Sequence, residues 1–511
     1  MLCLVLPWLF TYTSAPTLNW WPWFFSALCG LGVALAWRRV SAQLLAASWL
    51  AAALISCVIA LVQYFGGSDN AWLARWISQT PAGEAYGNLR QRNQFASLTS
   101  IGLAALLACV AWRAPTAPGR LALTDIPAWA WAAALLLALG NAVSSSRTGL
   151  LQWVLLLALA LWWHRAGRRS LALLAALALL VYMLAVPAMP ALLSVVTGMD
   201  ALNLFGRMSQ TGSDGRIVIW ANMLTLIGQK PWFGWGWGEL DYAHFMAAFP
   251  GEHYSGLLDN AHNLPLHLAV ELGVPVTLLA CAAVVAAVRA GKPWLEADAG
   301  RQLAWMVLAV IGLHSLLEYP LWYGPFQLAV LICAAWLWQT RVTASQASQP
   351  ARPGHLRPAI ATLALLALVF AGTDYWRISQ TLSAPRPNYL AALDGSPLAK
   401  AKNTWLFESQ VQFAELVTTD ITPENALAMH ALGQSMLHYA PEPRTLKKLL
   451  ESALVAGPDK VDKADVAFYL DRFKRGYPDE HARWLQKNAP GLQPAAINAP
   501  STAPASATSS R

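Results

Sequence analysis

Residues 42–66 read AQLLAASWLAAALISCVIALVQYFG, a run of 25 residues without a charged side chain. A helix of about 20 apolar residues crosses a lipid bilayer, and only helices or closed barrels satisfy their backbone polar groups there. Ten further segments meet this criterion, some of them loosely: residues 2–14, 18–37, 94–112, 127–144, 149–163, 170–190, 265–288, 302–318, 322–340 and 358–376. The sequence therefore predicts an all-α polytopic membrane protein with about 11 transmembrane helices.

Charge is scarce in this chain and unevenly distributed. Charged residues make up 12% of the 511 residues, whereas an ordinary soluble domain carries about 25%. Residues 1–376 contain 34 charged residues, and the 135 residues from 377 to 511 contain 28. This composition excludes a purely soluble enzyme, a secreted disulfide scaffold and a disordered chain. It predicts a membrane domain followed by a soluble region.

The distribution of lysine and arginine predicts which side of the membrane each loop faces, because positive residues favour the cytoplasmic side. With the N-terminus in the cytoplasm, the inside loops carry 13 Lys and Arg residues and the outside loops carry seven. An odd number of spans then places the C-terminal region outside. The predicted domains are a transmembrane domain (1–376) with a large outside loop between spans 7 and 8 (191–264), a helical soluble domain (377–492) and a disordered tail (493–511).

Among the arginines predicted to lie outside, where the orientation rule disfavours them, four could act together: Arg90, Arg92, Arg147 and Arg216. The planar guanidinium donates two parallel hydrogen bonds and suits phosphate. The four arginines are therefore candidates for holding a pyrophosphate. In the alternative interpretation, each arginine extends toward lipid headgroups. Polar neighbours such as Gln91 and Asn93 are unusual in a belt of headgroup contacts and favour the first interpretation.

Histidines and carboxylates form a second candidate cluster at the outer boundary of the predicted spans. His262 lies just before the helix start that Asn263 indicates, and histidine, with an ordinary pKa of about 6.5, is a ready general base at neutral pH. His314 and Glu318 are spaced i, i+4 and share a helix face. Three interpretations stay open: proton transfer by His262, purely structural histidines, and a metal site of His262, His314 and Glu318. No recognised metal motif supports the third.

Residues 231–238, PWFGWGWG, alternate aromatic residues with glycines inside the large loop. Aromatic faces stack on sugar rings, and glycine allows close approach of a chain. Tryptophan is also enriched at the membrane–water interface. Trp237 and its neighbours are thus candidates either for glycan contact or for membrane anchoring.

Several of these motifs, in their order along the chain, resemble those of a known superfamily. The pattern P-x-x-G-x-G-x-G at 231–238, Asn260-Ala-His-Asn263 and Glu271-Leu-Gly273 resemble the O-antigen ligases and polymerases. Within that superfamily, Leu89–Ala96 and His314–Tyr323 are similar to the bacterial protein O-oligosaccharyltransferases of the PglL type, which glycosylate pilins and other proteins. The soluble C-terminal region also fits that branch.

The resemblance implies an activity and a location. Such enzymes transfer a preassembled glycan en bloc from undecaprenyl pyrophosphate to Ser or Thr hydroxyls of periplasmic or pilin proteins, as metal-independent inverting glycosyltransferases without a cofactor. The chain is accordingly expected in the bacterial inner membrane as a multi-pass protein whose active site faces the periplasm. Its expected partners are the lipid-linked donor, the acceptor protein and the bilayer, and no nucleic acid is expected.

The resemblance also implies roles for individual residues. His262 corresponds to the family's histidine and Arg216 to its loop arginine, and both are expected to be catalytic. Arg90, Arg92 and Arg147 are expected to bind pyrophosphate. The remaining candidates are supporting residues for acceptor or glycan, of which Gln91 and Tyr319 match polar positions of the subfamily motifs: Gln91, Asn93, Asn263, His314, Glu318, Tyr319 and Trp237.

Three other functions are compatible with some of the same residues. An O-antigen ligase or a polymerase uses the same lipid-linked donor but a sugar acceptor. A transporter of lipid-linked sugar would carry its charges on both leaflets and show internal symmetry. Here the charges at the membrane edge concentrate outside and no repeat is evident, which favours a transferase.

Overall fold

The computed structural model describes residues 1–11, 20–113, 123–163, 169–199, 215–341, 356–381 and 397–488. These residues form helices joined by turns and loops, without a β-strand, so the predicted all-α fold is confirmed. The predicted disordered tail at 493–511 lies outside the described residues. The helices are α1 (Leu2–Leu9), α2 (Trp21–Leu35), α3 (Ala42–Tyr64), α4 (Arg92–Ala111), α5 (Ala128–Ser144), α6 (Arg147–Trp163), α7 (Arg169–Thr197), α8 (Gly215–Gln229), α9 (Leu240–Met246), α10 (Leu264–Leu272), α11 (Val274–Gly291), α12 (Ala299–Ser315), α13 (Gly324–Gln339), α14 (Leu356–Ser379), α15 (Pro397–Ala401), α16 (Glu408–Thr418), α17 (Ala426–Met436), α18 (Pro443–Ala456), α19 (Lys463–Gly476) and α20 (Pro478–Asn488).

Five of the described helices are long and apolar enough to cross a membrane: α3, α4, α7, α11 and α14. Four more are apolar but shorter: α2, α5, α6 and α13. Each predicted span overlaps a described helix. A multi-pass helical membrane protein is therefore the architecture of this chain, and its number of crossings, about 11, stays a prediction.

The segment predicted as one span at 265–288 is in fact two helices. α10 ends at Leu272, α11 begins at Val274, and Gly273 between them has a φ of +84°. The prediction of one continuous helix is wrong here, because glycine adopts a backbone conformation that interrupts the helical hydrogen bonds. α10 is consequently separate from the apolar helix that follows it.

The described chain divides into two compact units, of which unit 1 lies within residues 1–211 and 283–372. The central helix of unit 1 is α4, whose apolar stretch is 94% buried. Small side chains allow the helices to approach closely, because a Cβ added to Gly102 would lie 2.4 Å from the Cβ of Ala53 on α3. Such packing through small residues is typical of helices within membranes. Arg92 and Arg147 are the first residues of α4 and α6, two helices of this unit.

Unit 2 comprises mainly residues 212–282 and 373–511 and joins the C-terminal region to the segment that carries His262. Phe245 of α9 is buried in one cluster with residues of the C-terminal helices: Leu446, Leu449, Leu450, Phe468 and Phe473. The Tyr242 ring stacks on His438 at 3.7 Å, and His438 Nδ1 lies 2.7 Å from Glu239 Oε2. The C-terminal helices therefore form part of the support for the His262 segment.

Candidate functional site

The candidate residues fall into two sets, one on each unit. Unit 1 carries Arg90, Gln91, Arg92, Asn93, Arg147, His314, Glu318 and Tyr319. Unit 2 carries Arg216, Trp237, His262 and Asn263. Most members of both sets lie near the ends of helices, where backbone N–H groups or carbonyls are left without helical partners.

The start of α4 is built around Gln91, whose Oε1 accepts the backbone N–H of Gln94 at 2.7 Å and caps the helix. Arg92 is therefore the first helical residue, at a helix end whose dipole favours a negative charge. Its Nη2 lies 3.6 Å from Glu84 Oε1, and both side chains are partly exposed. An ion pair of this kind contributes little free energy, so a phosphate group would compete with Glu84 for Arg92.

Arg90 holds the loop that precedes α4. Its backbone is left-handed, with a φ of +59°. Its Nη2 donates to the carbonyl of Thr11 at 3.1 Å, and its Nε donates to Ser78 Oγ at 3.4 Å. These bonds give Arg90 a structural role, and its role as a pyrophosphate ligand stays a prediction.

A chain of hydrogen bonds connects Glu318 to the corner that precedes α6. Asn93 Nδ2 donates to Glu318 Oε1 at 2.8 Å, and Asn93 Oδ1 accepts the hydroxyl of Ser146 at 2.6 Å. Ser146 Oγ in turn accepts the backbone N–H of Gly149 at 3.1 Å and caps α6. The structure therefore brings together Asn93 and Glu318, two of the predicted supporting residues. Through Ser146 they position the first turn of α6, where Arg147 lies.

His314 belongs to a buried polar network inside unit 1. Its Nδ1 lies 2.8 Å from Ser97 Oγ, which also accepts a hydrogen bond from Gln152 Nε2 at 2.7 Å. Gln152 Oε1 accepts the hydroxyl of Ser100 at 3.0 Å. All four residues are buried. This arrangement favours the structural interpretation of His314, because buried polar groups are costly unless they are hydrogen-bonded.

The turn that carries His262 is held by an asparagine on each side. His262 has a left-handed backbone with a φ of +50°. Its N–H donates to Oδ1 of the buried Asn260 at 3.0 Å, and Asn263 Oδ1 caps α10 by accepting the N–H of Leu266 at 3.0 Å. A non-glycine residue in this conformation costs about 1–3 kcal/mol, and such strain clusters at functional sites. The two asparagines fix a partly exposed His262 just before the start of α10.

Arg216 lies on the first turn of α8, a helix that contacts the His262 turn through Trp220. Trp220 Nε1 on α8 donates to the carbonyl of Ala261 at 3.1 Å. Arg216 precedes Trp220 by four residues and therefore lies on the same helix face, one turn or about 5.4 Å along the axis. The structure thus brings α8 to the His262 turn, and the approach of Arg216 to His262 stays a prediction.

The contacts of His267, in contrast, favour a structural role. Its Nε2 lies 3.4 Å from Glu271 Oε2 on the next turn of α10, and each side chain is 3% exposed. Removal of one partner from such a buried pair leaves the other group without compensation, which destabilises the fold.

Among the residues that the structure describes, no three His, Cys, Asp or Glu side chains are arranged to hold a metal ion.

Asp241 on α9 is a carboxyl group with a strongly perturbed ionisation in the same loop. Burial is the largest of the effects that raise its pKa to about 8. The N–H of Tyr242, which donates to Asp241 Oδ1 at 2.7 Å, lowers the pKa. The negative charges of Asp259 and Glu239 raise it. Burial also raises the pKa of Asp259, and the charge of His262 opposes this shift. The loop therefore concentrates acidic groups beside the histidine turn.

We expect Asp241→Asn to stabilise the protein at alkaline pH. The raised pKa means that the folded state holds the proton more tightly than the unfolded state, so stability is lost as the pH rises from 3.8 toward about 8. Asparagine keeps the shape without the charge. The thermal unfolding midpoint of the variant should exceed that of the parent most at pH 8, and the difference should shrink toward pH 4. A difference that does not change with pH would contradict this explanation.

The glycine-rich segment 231–238 packs directly against the backbone of the last residues of α10. The N–H of Trp235 donates to the carbonyl of Val270 at 2.8 Å, and the N–H of Val274 donates to the carbonyl of Pro231 at 2.8 Å. A Cβ on Gly234 would lie 2.4 Å from the Glu271 carbonyl. The need for glycine at this position thus follows from a close backbone contact.

We expect Gly273→Ala to disrupt this contact. The new Cβ would lie 2.3 Å from the carbonyl oxygen of Trp232, and φ at this position is +84°. Both effects destabilise the fold, together by about 2 kcal/mol or more. The matched control is Gly251→Ala, where a Cβ meets nothing within 4 Å. Unfolding midpoints of the two purified variants in detergent measure the difference, and equal midpoints would show that the contact is unimportant.

Tyr319 and Trp237, two of the predicted supporting residues, have different surroundings. The Tyr319 ring stacks on Tyr323 with centroids 5.9 Å apart. Trp237 is 69% exposed and lies at the end of the glycine-rich segment. Both roles stay predictions, and exposure leaves Trp237 accessible to a bound molecule.

Comparisons with known proteins give matches to three family models. Residues 132–281 match the O-antigen ligase family, residues 85–108 match the protein glycosylation ligase family, and residues 302–490 match the C-terminal region of the virulence factor membrane-bound polymerase family. A general O-oligosaccharyltransferase of Acinetobacter baylyi (strain ATCC 33305 / BD413 / ADP1) is 31% identical over 118 residues, which cover 22% of this chain and 20% of that protein. No solved structure matches the chain.

Proposed function

On the premise that this chain is a relative of the O-antigen ligases and of the protein glycosylation ligases, we propose that it transfers a preassembled glycan to protein. The proposed donor is undecaprenyl pyrophosphate-linked oligosaccharide, and the proposed acceptors are Ser and Thr hydroxyls of periplasmic or pilin proteins. The observation that carries the proposal is the strained His262 turn beside α8, which bears Arg216.

The reaction needs a base and a site for negative charge. A Ser or Thr hydroxyl is a weak nucleophile, so a base that removes its proton during attack contributes about 10²–10⁴-fold. His262 takes that proton as the hydroxyl oxygen forms a bond to the anomeric carbon of the glycan. The bond between this carbon and the pyrophosphate oxygen breaks, and the electron pair leaves with the lipid pyrophosphate. Attack from the face opposite the leaving group inverts the anomeric configuration.

Arg216 stabilises the charge that develops on the leaving pyrophosphate. A guanidinium donates two parallel hydrogen bonds to phosphate oxygens, and a preorganised donor is most effective where charge develops in the transition state. Because arginine supplies this charge without a metal ion, we propose a metal-independent reaction. Arg92 and Arg147, each at the start of a helix, are proposed to bind phosphate.

A second candidate function is polymerisation or ligation onto a sugar acceptor. The match of residues 302–490 to a membrane-bound polymerase family favours it. The donor and the roles of His262 and Arg216 would be the same, and only the acceptor would differ. An acceptor assay therefore separates the two functions.

The test is co-expression of the chain with a lipid-linked glycan pathway and a candidate pilin, followed by intact mass measurement of the pilin. The expected result is a mass increase equal to one preassembled glycan, which is lost with the His262→Ala variant. An unmodified pilin together with elongated lipid-linked glycan would favour the polymerase function instead.

The proposed location of the active site in the periplasm gives a separate prediction about topology. A reporter that is active only outside the cytoplasm should be active when fused after residue 80, 240 or 400, and silent when fused after residue 168 or 295, because positive residues favour the cytoplasmic side. Reporter activity in whole cells measures this pattern. A silent fusion after residue 400 would show that the number of spans is even and that the C-terminal region is cytoplasmic.

A further inference from the structure

Unit 2 exposes two pairs of large apolar side chains on its surface. Trp232 and Phe233 are 71% and 89% exposed, and Trp405 and Leu406 are 84% and 53% exposed. Exposed apolar clusters of this kind mark interaction surfaces. We call these four residues, three of which are aromatic, the aromatic surface.

The first pair lies at the beginning of α11. The N–H of Val274, the first residue of α11, donates to the carbonyl of Pro231, and Trp232 and Phe233 follow directly. The apolar stretch that α11 begins is only 6% buried. An apolar helix with so few protein contacts lies against lipid hydrocarbon, so its first residue marks the level of the membrane boundary.

The second pair lies near the end of α14. The carboxylate of Asp374, 3% exposed, accepts the hydroxyl of Thr404 at 2.9 Å and the N–H groups of Trp405 and Leu406 at 3.0 and 3.1 Å. Asp374 lies in the last two turns of α14, which ends at Ser379. The apolar stretch of α14 is 17% buried. Trp405 and Leu406 are therefore held at the level where a second lipid-facing helix ends.

Both pairs thus lie near the ends of apolar helices that expose most of their surface. The first follows Pro231, whose carbonyl accepts the N–H of Val274, and the second is held by the carboxylate of Asp374. Tryptophan is favoured at that depth because its ring has an apolar body and a polar N–H. Phe233 and Leu406 extend the apolar contact toward the hydrocarbon.

We propose that the aromatic surface binds the headgroup–hydrocarbon boundary of the bilayer and docks unit 2 onto the membrane at two points, the start of α11 and the end of α14. The partner is the lipid surface. Its continuity with the lipid-facing sides of α11 and α14 selects lipid over a protein partner. Trp237 is not part of this surface and stays a candidate for glycan contact.

The test is photocrosslinking of the full chain in nanodiscs of phosphatidylethanolamine and phosphatidylglycerol. Phe233→p-benzoylphenylalanine and Trp405→p-benzoylphenylalanine each replace one exposed aromatic residue with another. The control is Arg483→p-benzoylphenylalanine on α20, where the side chain is 68% exposed on a charged helix. After irradiation, intact mass should show the mass of one phospholipid added at 233 and at 405, and none at 483.

The unaltered chain supplies a second measurement that does not depend on substitution. In the same nanodiscs, hydroxyl-radical oxidation should modify Trp405 and Phe233 far less than their exposed areas require, because lipid covers them. Lipid adducts at both positions together with low oxidation support two-point docking. Absence of a lipid adduct at either position, an equal adduct at 483, or oxidation in proportion to exposed area would overturn it.

Discussion

His262→Ala should lower glycan transfer at least about a hundredfold, because a Ser or Thr hydroxyl ionises too weakly to attack without a base. The side chain is partly exposed on a turn fixed by Asn260 and Asn263, so its loss should leave the fold intact. Turnover of purified enzyme with lipid-linked donor and acceptor measures the effect. The parent should keep its activity in EDTA, as the proposed metal-independent reaction requires.

The matched control for this variant is His267→Ala in the same element. His267 pairs with the buried Glu271 at 3.4 Å, so its removal should lower the unfolding midpoint and leave turnover per folded molecule close to that of the parent. If His262→Ala keeps more than about a tenth of the parent turnover, the assignment of the base is wrong. Loss of parent activity in EDTA with recovery in Mg²⁺ or Mn²⁺ would point instead to a metal-assisted reaction.

Arg216→Lys should retain less than about a tenth of the parent activity, although it keeps the positive charge. Lysine presents a single ammonium and cannot donate the two parallel hydrogen bonds that a guanidinium offers to phosphate. Arg216→Ala should lose still more. Steady-state kinetics against the lipid-linked donor should show the loss mainly in kcat, because the interaction strengthens as charge develops on the leaving group.

The control for Arg216 is Arg483→Lys on α20, a surface arginine paired with Glu480 at 2.6 Å. This variant should behave like the parent in protein level and in turnover. Wild-type kinetics for Arg216→Lys would exclude a bidentate pyrophosphate contact at this position. A low membrane level of the Arg216 variants would instead assign the residue to the stability of α8.

Much of the functional interpretation came from short sequence motifs. The resemblance to the O-antigen ligase superfamily and to its PglL-type branch is confirmed by the family matches. The sequence also indicated Asn263 as a helix start, and the structure confirms that it caps α10. Short motifs of this kind are visible in sequence because each acts within a few residues of itself.

Other parts of the candidate site could not be predicted in this way. Asn260, Ser146 and Gln152 received no role from the sequence, although they hold the His262 turn, the start of α6 and the His314 network. The available signal was weak: Gln152 is a polar residue within an apolar run. The break at Gly273 was missed as well, because hydropathy does not respond to a single glycine.

The sequence by itself determined the class of the protein, a helical membrane chain, since hydropathy and charge are summed over neighbouring residues. Tertiary structure alone decided which distant residues meet. Asn93 and Glu318 are 225 positions apart and share a hydrogen bond, and α9 packs against helices of the C-terminal region. Such contacts depend on the packing of side chains from separate helices, which no local pattern in the sequence records.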